Sequence, residues 1–177
     1  MDLDLGADSV QYVSWKAQEK KWSVDGEESP LTAFLIEPQS YKEGLGRLQE
    51  GVAPDWIWKK SPGERQEPKE DYKKAFYLDI YLSKKHGAPV SEWREWTSNQ
   101  RASRDALMSL FQEIDKKDLD KGKLMKVNVK GSQPKKFGPA TVNVPVLEFD
   151  SWVDNPDSKE PVEKILSDDL EDEIDWG

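Results

Sequence analysis

Alternation is the strongest pattern in the chain. From Lys73 to Ser83, Phe76, Leu78, Ile80 and Leu82 fall on one side, and Lys73, Ala75, Tyr77, Asp79 and Tyr81 on the other. A period of two marks a β-strand with one buried face. The same reading predicts strands at 31–36, a continuous apolar run stopped by Pro38, and at 56–58, 93–96, 124–130 and 140–149. His86-Gly87-Ala88-Pro89 reads as a turn, so segments 73–83 and 91–97 are expected to pair as a hairpin. Pro145 breaks the parity of the last strand and predicts a bulge or an edge position. One segment changes period. Ala102, Ala106, Leu107, Leu110, Phe111 and Ile114 recur at helical spacing behind Ser98 or Asn99 as N-cap, predicting a helix from about residue 100 to 117. Trp15 and Trp22, seven apart, suit one face of a second helix across 14–21. Segments 25–30, 61–71 and 131–139 read as loops, and 39–55, with Gly44, Gly46, Gly51 and Pro54, as a connection.

Strands, one helix and a closing hairpin, in that order, predict a mainly β protein. The order matches an OB-fold-like five-stranded antiparallel Greek-key barrel with one helix between the third and fourth strands. A generic α+β sheet with a helix on one face is the alternative. The expected organisation is a binding body over 1–153, with 1–30 as an N-terminal extension, and a disordered acidic tail over 154–177.

Composition narrows the chemistry. The chain has 177 residues, no cysteine and one histidine, His86. Disulfides, thiolate metal sites and a cysteine nucleophile are excluded, and His-rich metal sites with them. No apolar run approaches the ~18 residues of a membrane span, and Met1-Asp2-Leu3-Asp4 lacks the basic start of a secretory signal. The expectation is a soluble, cytoplasmic protein. No glycine-rich nucleotide fingerprint is present. Glu70-Asp71 and Asp168-Asp169 could hold Mg²⁺ on paper but read as solvated charge, and His86 reads as a loop residue. The expectation is no enzyme, no cofactor and no metal.

The net charge of −9 is unevenly spread. Residues 150–177 carry −9 and residues 1–55 carry −6, whereas 56–136 carry +7. The basic middle coincides with the aromatic residues: Trp58 precedes Lys59-Lys60, Arg94 lies between Trp93 and Trp96, and Lys135-Lys136 precede Phe137. Trp15 and Trp22, and one of each close tryptophan pair, suit the core. Rings and cations on the outer wall of a sheet suit single-stranded nucleic acid, because bases stack on rings and phosphates meet Lys and Arg. The expected stacking residues are Trp56 or Trp58, Tyr77, Tyr81, Trp93 or Trp96, and Phe137. The expected phosphate contacts are Lys59, Lys60, Lys73, Arg94, Lys126, Lys130, Lys135 and Lys136, the last two on a mobile hairpin arm. In the tail, Leu170, Ile174 and Trp176 are spaced through acid, so Asp172, Glu173, Ile174, Asp175 and Trp176 are expected to dock a partner protein. Two rivals stand beside this reading: an acidic interaction protein, such as a DNA mimic or host-enzyme inhibitor, and a carboxylate–Mg²⁺ hydrolase.

Trp56-Ile57-Trp58, Arg94-Glu95-Trp96, the helix, the hairpin around Lys135-Lys136-Phe137-Gly138, the closing Val144 to Phe149 with Trp152, and the acidic tail together resemble bacteriophage-encoded single-stranded-DNA-binding proteins of the OB-fold type. The resemblance covers roughly residues 31–152 and the tail. It implies sequence-independent coating of single strands in phage DNA replication, recombination or repair, with the tail recruiting replication partners. Tails of that class commonly end in Phe, whereas this chain ends Ile174-Asp175-Trp176-Gly177.

Overall fold

The computed structural model describes residues 11–114 and 122–156. Among these, nine strands and one α-helix follow in order: β1 (Tyr12–Lys16), β2 (Lys21–Val24), β3 (Glu27–Ser29), β4 (Ala33–Gln49), β5 (Val52–Trp58), β6 (Lys73–Tyr81), β7 (Trp93–Ser98), α1 (Arg101–Gln112), β8 (Leu124–Phe137) and β9 (Ala140–Val153). They form one mixed sheet in the order β3-β2-β1-β7-β6-β4-β8-β9, with β5 also on β4. The protein is mainly β, as the alternation indicates. The architecture is larger than five antiparallel strands: β1 and β7 are parallel, and the strand path does not close.

The extra strands come from segments whose sequence reads as helix or loop. Trp15 and Trp22 do not share a helix face. They oppose each other across the β1–β2 hairpin, with ring centroids 5.2 Å apart. A four-residue turn between two strands returns the chain to the same face after seven residues, as two helical turns would. The glycines of 39–55 do not interrupt a strand either. β4 runs through Gly44 and Gly46 to Gln49, and the chain reverses at Glu50-Gly51 into β5. The expected loop over 131–139 is largely strand, since β8 and β9 stay paired out to Phe137 and Ala140. The Pro145 expectation holds in position, with the extra residue on the partner strand: the register shifts between Val129 and Ser132, opposite Leu147 and Pro145. Gly131 there has a φ of 90°, a conformation glycine adopts without strain.

β4 organises the sheet. Ala33–Ile36 pair with β8, Gly44–Gln49 pair with β5, and both halves pair with β6 across a register shift between Glu37 and Lys42. Pro38 lies in that shift, where its missing N–H costs no ladder bond. The inner face of the sheet carries Phe34, Ile36, Phe76, Leu78, Ile80 and Trp96, all fully buried, against Ala102, Ala106, Leu107 and Leu110 of α1. Trp96 meets Trp22 and Phe76 edge-on at 5.2 and 5.0 Å, the arrangement that ring quadrupoles favour. The helix starts one residue later than its capping sequence suggests. Gln100 is the N-cap, and Asn99 instead donates from Nδ2 to the Gly46 carbonyl at 3.1 Å, tying the helix start to β4. Residues 115–117 of the expected helix, and the tail from 157, lie outside the described residues.

Arg94 holds the β1–β2 side to β7. Its Nε and Nη2 donate to the Asp25 carboxylate at 2.8 and 2.9 Å, and Nη1 donates to Glu92 at 2.8 Å. The guanidinium side chain is 8% exposed, so Asp25 and Glu92 supply the charge that water would otherwise screen. Removing Asp25 leaves a buried cation with less compensation. Asp25→Ala is expected to destabilise the fold toward the lower end of ~3–5 kcal/mol, because Asp25 is itself partly exposed. Urea unfolding followed by tryptophan fluorescence measures this. A loss below about 1 kcal/mol, the usual worth of a surface ion pair, refutes a structural role for the pair.

Candidate nucleic-acid interface

On the outer face, β5, β4 and β6 present a continuous aromatic strip. Trp56 and Trp58 alternate onto that face, opposite Gly46 and Gly44 of β4, which in turn oppose Lys73 and Ala75 of β6. The indoles stack on each other, with centroids 5.6 Å apart and planes at 8°. Tyr77 meets Trp58 edge-on at 6.2 Å, and Lys42 places its ammonium 4.7 Å from the Tyr77 ring centroid. Lys73 is exposed beside the strip.

The glycines set this geometry. A Cβ on Gly46 would lie 2.3 Å from the Trp56 ring, and a Cβ on Gly44 would lie 2.3 Å from the Ile57 carbonyl and 2.8 Å from the Trp58 ring. Both indoles therefore occupy space that a side chain on β4 would need, and Ala75 beside Gly44 on β6 is buried. Both residues are half-buried. Tyr77 donates to Asp79 at 2.6 Å. Burial, and then that bond, push its phenol well above the ordinary range, so it stays neutral.

The strip continues into a cleft of about 340 Å³ bounded by Tyr12, Leu48, Pro54, Trp56, Glu95 and Thr97. In strand order β1 and β5 are four spacings apart, about 19 Å in a flat sheet. Residues of both line the same cleft, so the sheet curls here. Tyr12 and Leu48 are 40% and 50% exposed.

The expected residues divide by their surroundings. Trp56, Trp58, Tyr77 and Lys73 come together in the strip. Tyr81 and Trp93 pair with each other at 5.4 Å and pack against a second apolar cluster of Ala33, Leu35 and Leu124. Asp79 and Glu95, opposed on β6 and β7, lie between that cluster and the strip. Trp96 and Arg94 are built into the fold. Trp96 has no exposed surface, and the Arg94 cation is held by Asp25 and Glu92, with its pKa raised first by the Asp25 bond. Lys126 is likewise buried, with its ammonium 3.6 Å from Asp150. Alternation along β8 does not leave it exposed: its ammonium is spent on Asp150 of the neighbouring β9.

The hairpin cations fare differently from one another. Lys135 donates to Asp105 of α1 at 2.7 Å, and Arg101 lies 4.4 Å above the Phe137 ring. Asn143 donates to the Ala17 carbonyl and accepts the Trp15 indole N–H at its own carbonyl. The arm is thus fastened to α1 and to the β1–β2 turn rather than standing free. Lys60, Lys130 and Lys136 are exposed, while Lys59 bonds Glu43 at 3.0 Å. Asp172, Glu173, Ile174, Asp175 and Trp176 lie outside the described residues.

Sequence reasoning missed Lys42, Gly44, Gly46 and Tyr12. The two glycines sit at a spacing of two opposite a Trp-x-Trp, which signals indoles lying over a neighbouring strand once the pairing is known. Among the described residues no three His, Asp or Glu cluster as a metal site, and no helix is long and apolar enough to cross a membrane. Comparison with family models, with characterised proteins and with solved structures returns no match.

Gly46→Ala tests the glycine floor. The added methyl must displace the Trp56 ring, so the near-ultraviolet circular dichroism of the stacked pair is expected to fall while the far-ultraviolet spectrum is kept. An unchanged near-ultraviolet spectrum refutes the close packing of Trp56 against Gly46.

Proposed function

We propose that this protein binds single-stranded DNA without regard to base sequence, as a non-catalytic coating protein. The observation that carries the reading is the strip Trp56–Trp58–Tyr77, laid over Gly44 and Gly46 and bordered by Lys42 and Lys73. Every base has a π-face, so a row of half-exposed rings accepts any sequence, at about 1–3 kcal/mol per stacked base. Lysines beside the rings neutralise phosphates and release counterions, which makes affinity fall with salt. A curled sheet with a helix packed on its inner face supports an OB-type platform, with the strip and the neighbouring cleft as the path of the strand. The setting we assign is phage DNA replication, recombination or repair in the host cytoplasm, with the acidic tail docking replication proteins.

Trp56→Ala and Trp58→Ala are each expected to weaken binding of a labelled oligothymidylate roughly 5- to 150-fold, read by fluorescence anisotropy. Wild-type affinity in both variants removes the strip from the site. Wild-type protein that shows no salt-sensitive binding at all refutes the function.

Deleting residues 154–177 is expected to preserve or tighten DNA binding while abolishing a partner interaction. Loss of DNA binding in the truncated protein contradicts a docking tail.

A further inference from the structure

The opposite face of the same strands holds a second concavity that no expected site residue other than Lys59 touches. It has a volume of about 370 Å³ and lies between β4, β5, β6, the 61–71 loop and α1. Its walls bring together Lys59, Arg65, Lys74 and Arg104, four cations from four segments, around one carboxylate, Glu43.

The carboxylate does not use up these cations. Glu43 accepts from Lys59 on one oxygen at 3.0 Å and from the Tyr41 hydroxyl on the other at 2.8 Å. Among the described residues Arg65, Lys74 and Arg104 form no ion pair. Tyr41 is fixed in turn by an edge-on contact with Phe111 of α1 at 5.4 Å. Gln66 donates to the Ile57 carbonyl at 2.8 Å and holds the loop that carries Arg65 over β5. The pocket is therefore a braced, polar cavity whose spare charge is positive, which is the chemistry of a phosphate site.

Its position connects it to the aromatic strip. Among the described residues β5 pairs only with β4, so it forms an edge of the sheet there. Trp58 and Lys59 are consecutive on that edge and point to opposite faces. A strand stacked on Trp56 and Trp58 reaches the pocket by passing over β5.

The geometry points to a phosphate-backbone subsite formed by Lys59, Arg65, Lys74 and Arg104, which receives a single-stranded polynucleotide after it leaves the tryptophans and crosses β5. This inference rests on the single-strand-binding reading and assigns the strand a path around the sheet edge.

The test uses the full chain and the variant Arg65→Ala/Arg104→Ala, with oligothymidylates of about 4 and about 16 nucleotides, the range that one module of this kind covers. Wild-type protein is expected to bind both, the longer one with the steeper salt dependence. The variant is expected to bind the short oligonucleotide as wild type does. For the long one it loses about 1.4 from the log–log salt slope, two phosphate contacts at ~0.7 each. Arg65→Ala alone, a change at an exposed loop residue, is expected to lose about half of that, and Arg65→Lys to restore it.

A wild-type slope in the double variant and in Arg65→Ala overturns the subsite. So does saturable thermal stabilisation of wild-type protein by inorganic phosphate that the variant loses while its binding to the long oligonucleotide is unchanged, which would assign the pocket to free phosphate. Absence of salt-sensitive binding of either oligonucleotide to wild-type protein is a different result, and it refutes the parent reading.

Discussion

A β-strand residue has two hydrogen-bonding edges, so a strand can have three partners only if it is long enough to exchange one along its length. β4 does this over 17 residues. It pairs with β6 at Leu35–Glu37 and again at Lys42–Gly46, and changes its other partner from β8 to β5. The exchange falls at the irregularity between Glu37 and Lys42, where Pro38 donates no hydrogen bond. The first half of β4 carries Phe34 and Ile36 into the core. The second half carries Gly44 and Gly46 under the tryptophans. Core and aromatic strip are thus carried by two ends of one strand, joined again by the Asn99 bond from the start of α1 to Gly46.

The aromatic residues divide by what lies next to them. Trp15, Trp22 and Trp96 meet other large rings and are sealed in the core. Trp56 and Trp58 meet each other and, on β4, glycine rather than a side chain, so they are only half-buried. Stacking on each other against glycine holds the two rings in one orientation before any ligand arrives. That lowers the ordering cost of stacking, and it is a physical reason to read the pair as a platform.

The cations divide in the same way. Arg94, Lys126 and Lys135 neutralise Asp25, Asp150 and Asp105 and hold β7, β9 and the hairpin arm in place. Lys42 and Lys73 border the strip, and Arg65, Lys74 and Arg104 collect around a carboxylate already engaged by Lys59 and Tyr41. At Glu43, burial pushes the carboxyl upward, but the hydrogen bonds from Tyr41 and Lys59 and the pull of Lys59 and Lys74 outweigh it. The group stays ionised below its ordinary range. The basic middle of the chain is therefore part scaffold and part available charge.

Alternation along the chain was enough to assign the faces of β6 and the helical stripe of α1, and to foresee the hairpin of β6 with β7, because period alone decides which side chains can share an environment. It also put Trp56 with Trp58, and Lys73 with Tyr77, on a common face of their own strands, since β5 and β6 each carry them at even spacing. Strand partners were not legible. The seven-residue interval of Trp15 and Trp22 suits a helix and a hairpin equally, and only the pairing of β1 with β2 and β7 chose between them. The glycines of β4 look like punctuation until β5 lies beside them. The use of each cation was likewise settled by tertiary structure: Arg94 and Asp25 are 69 residues apart, and a charge is free or spent according to what the fold brings within a few ångströms of it.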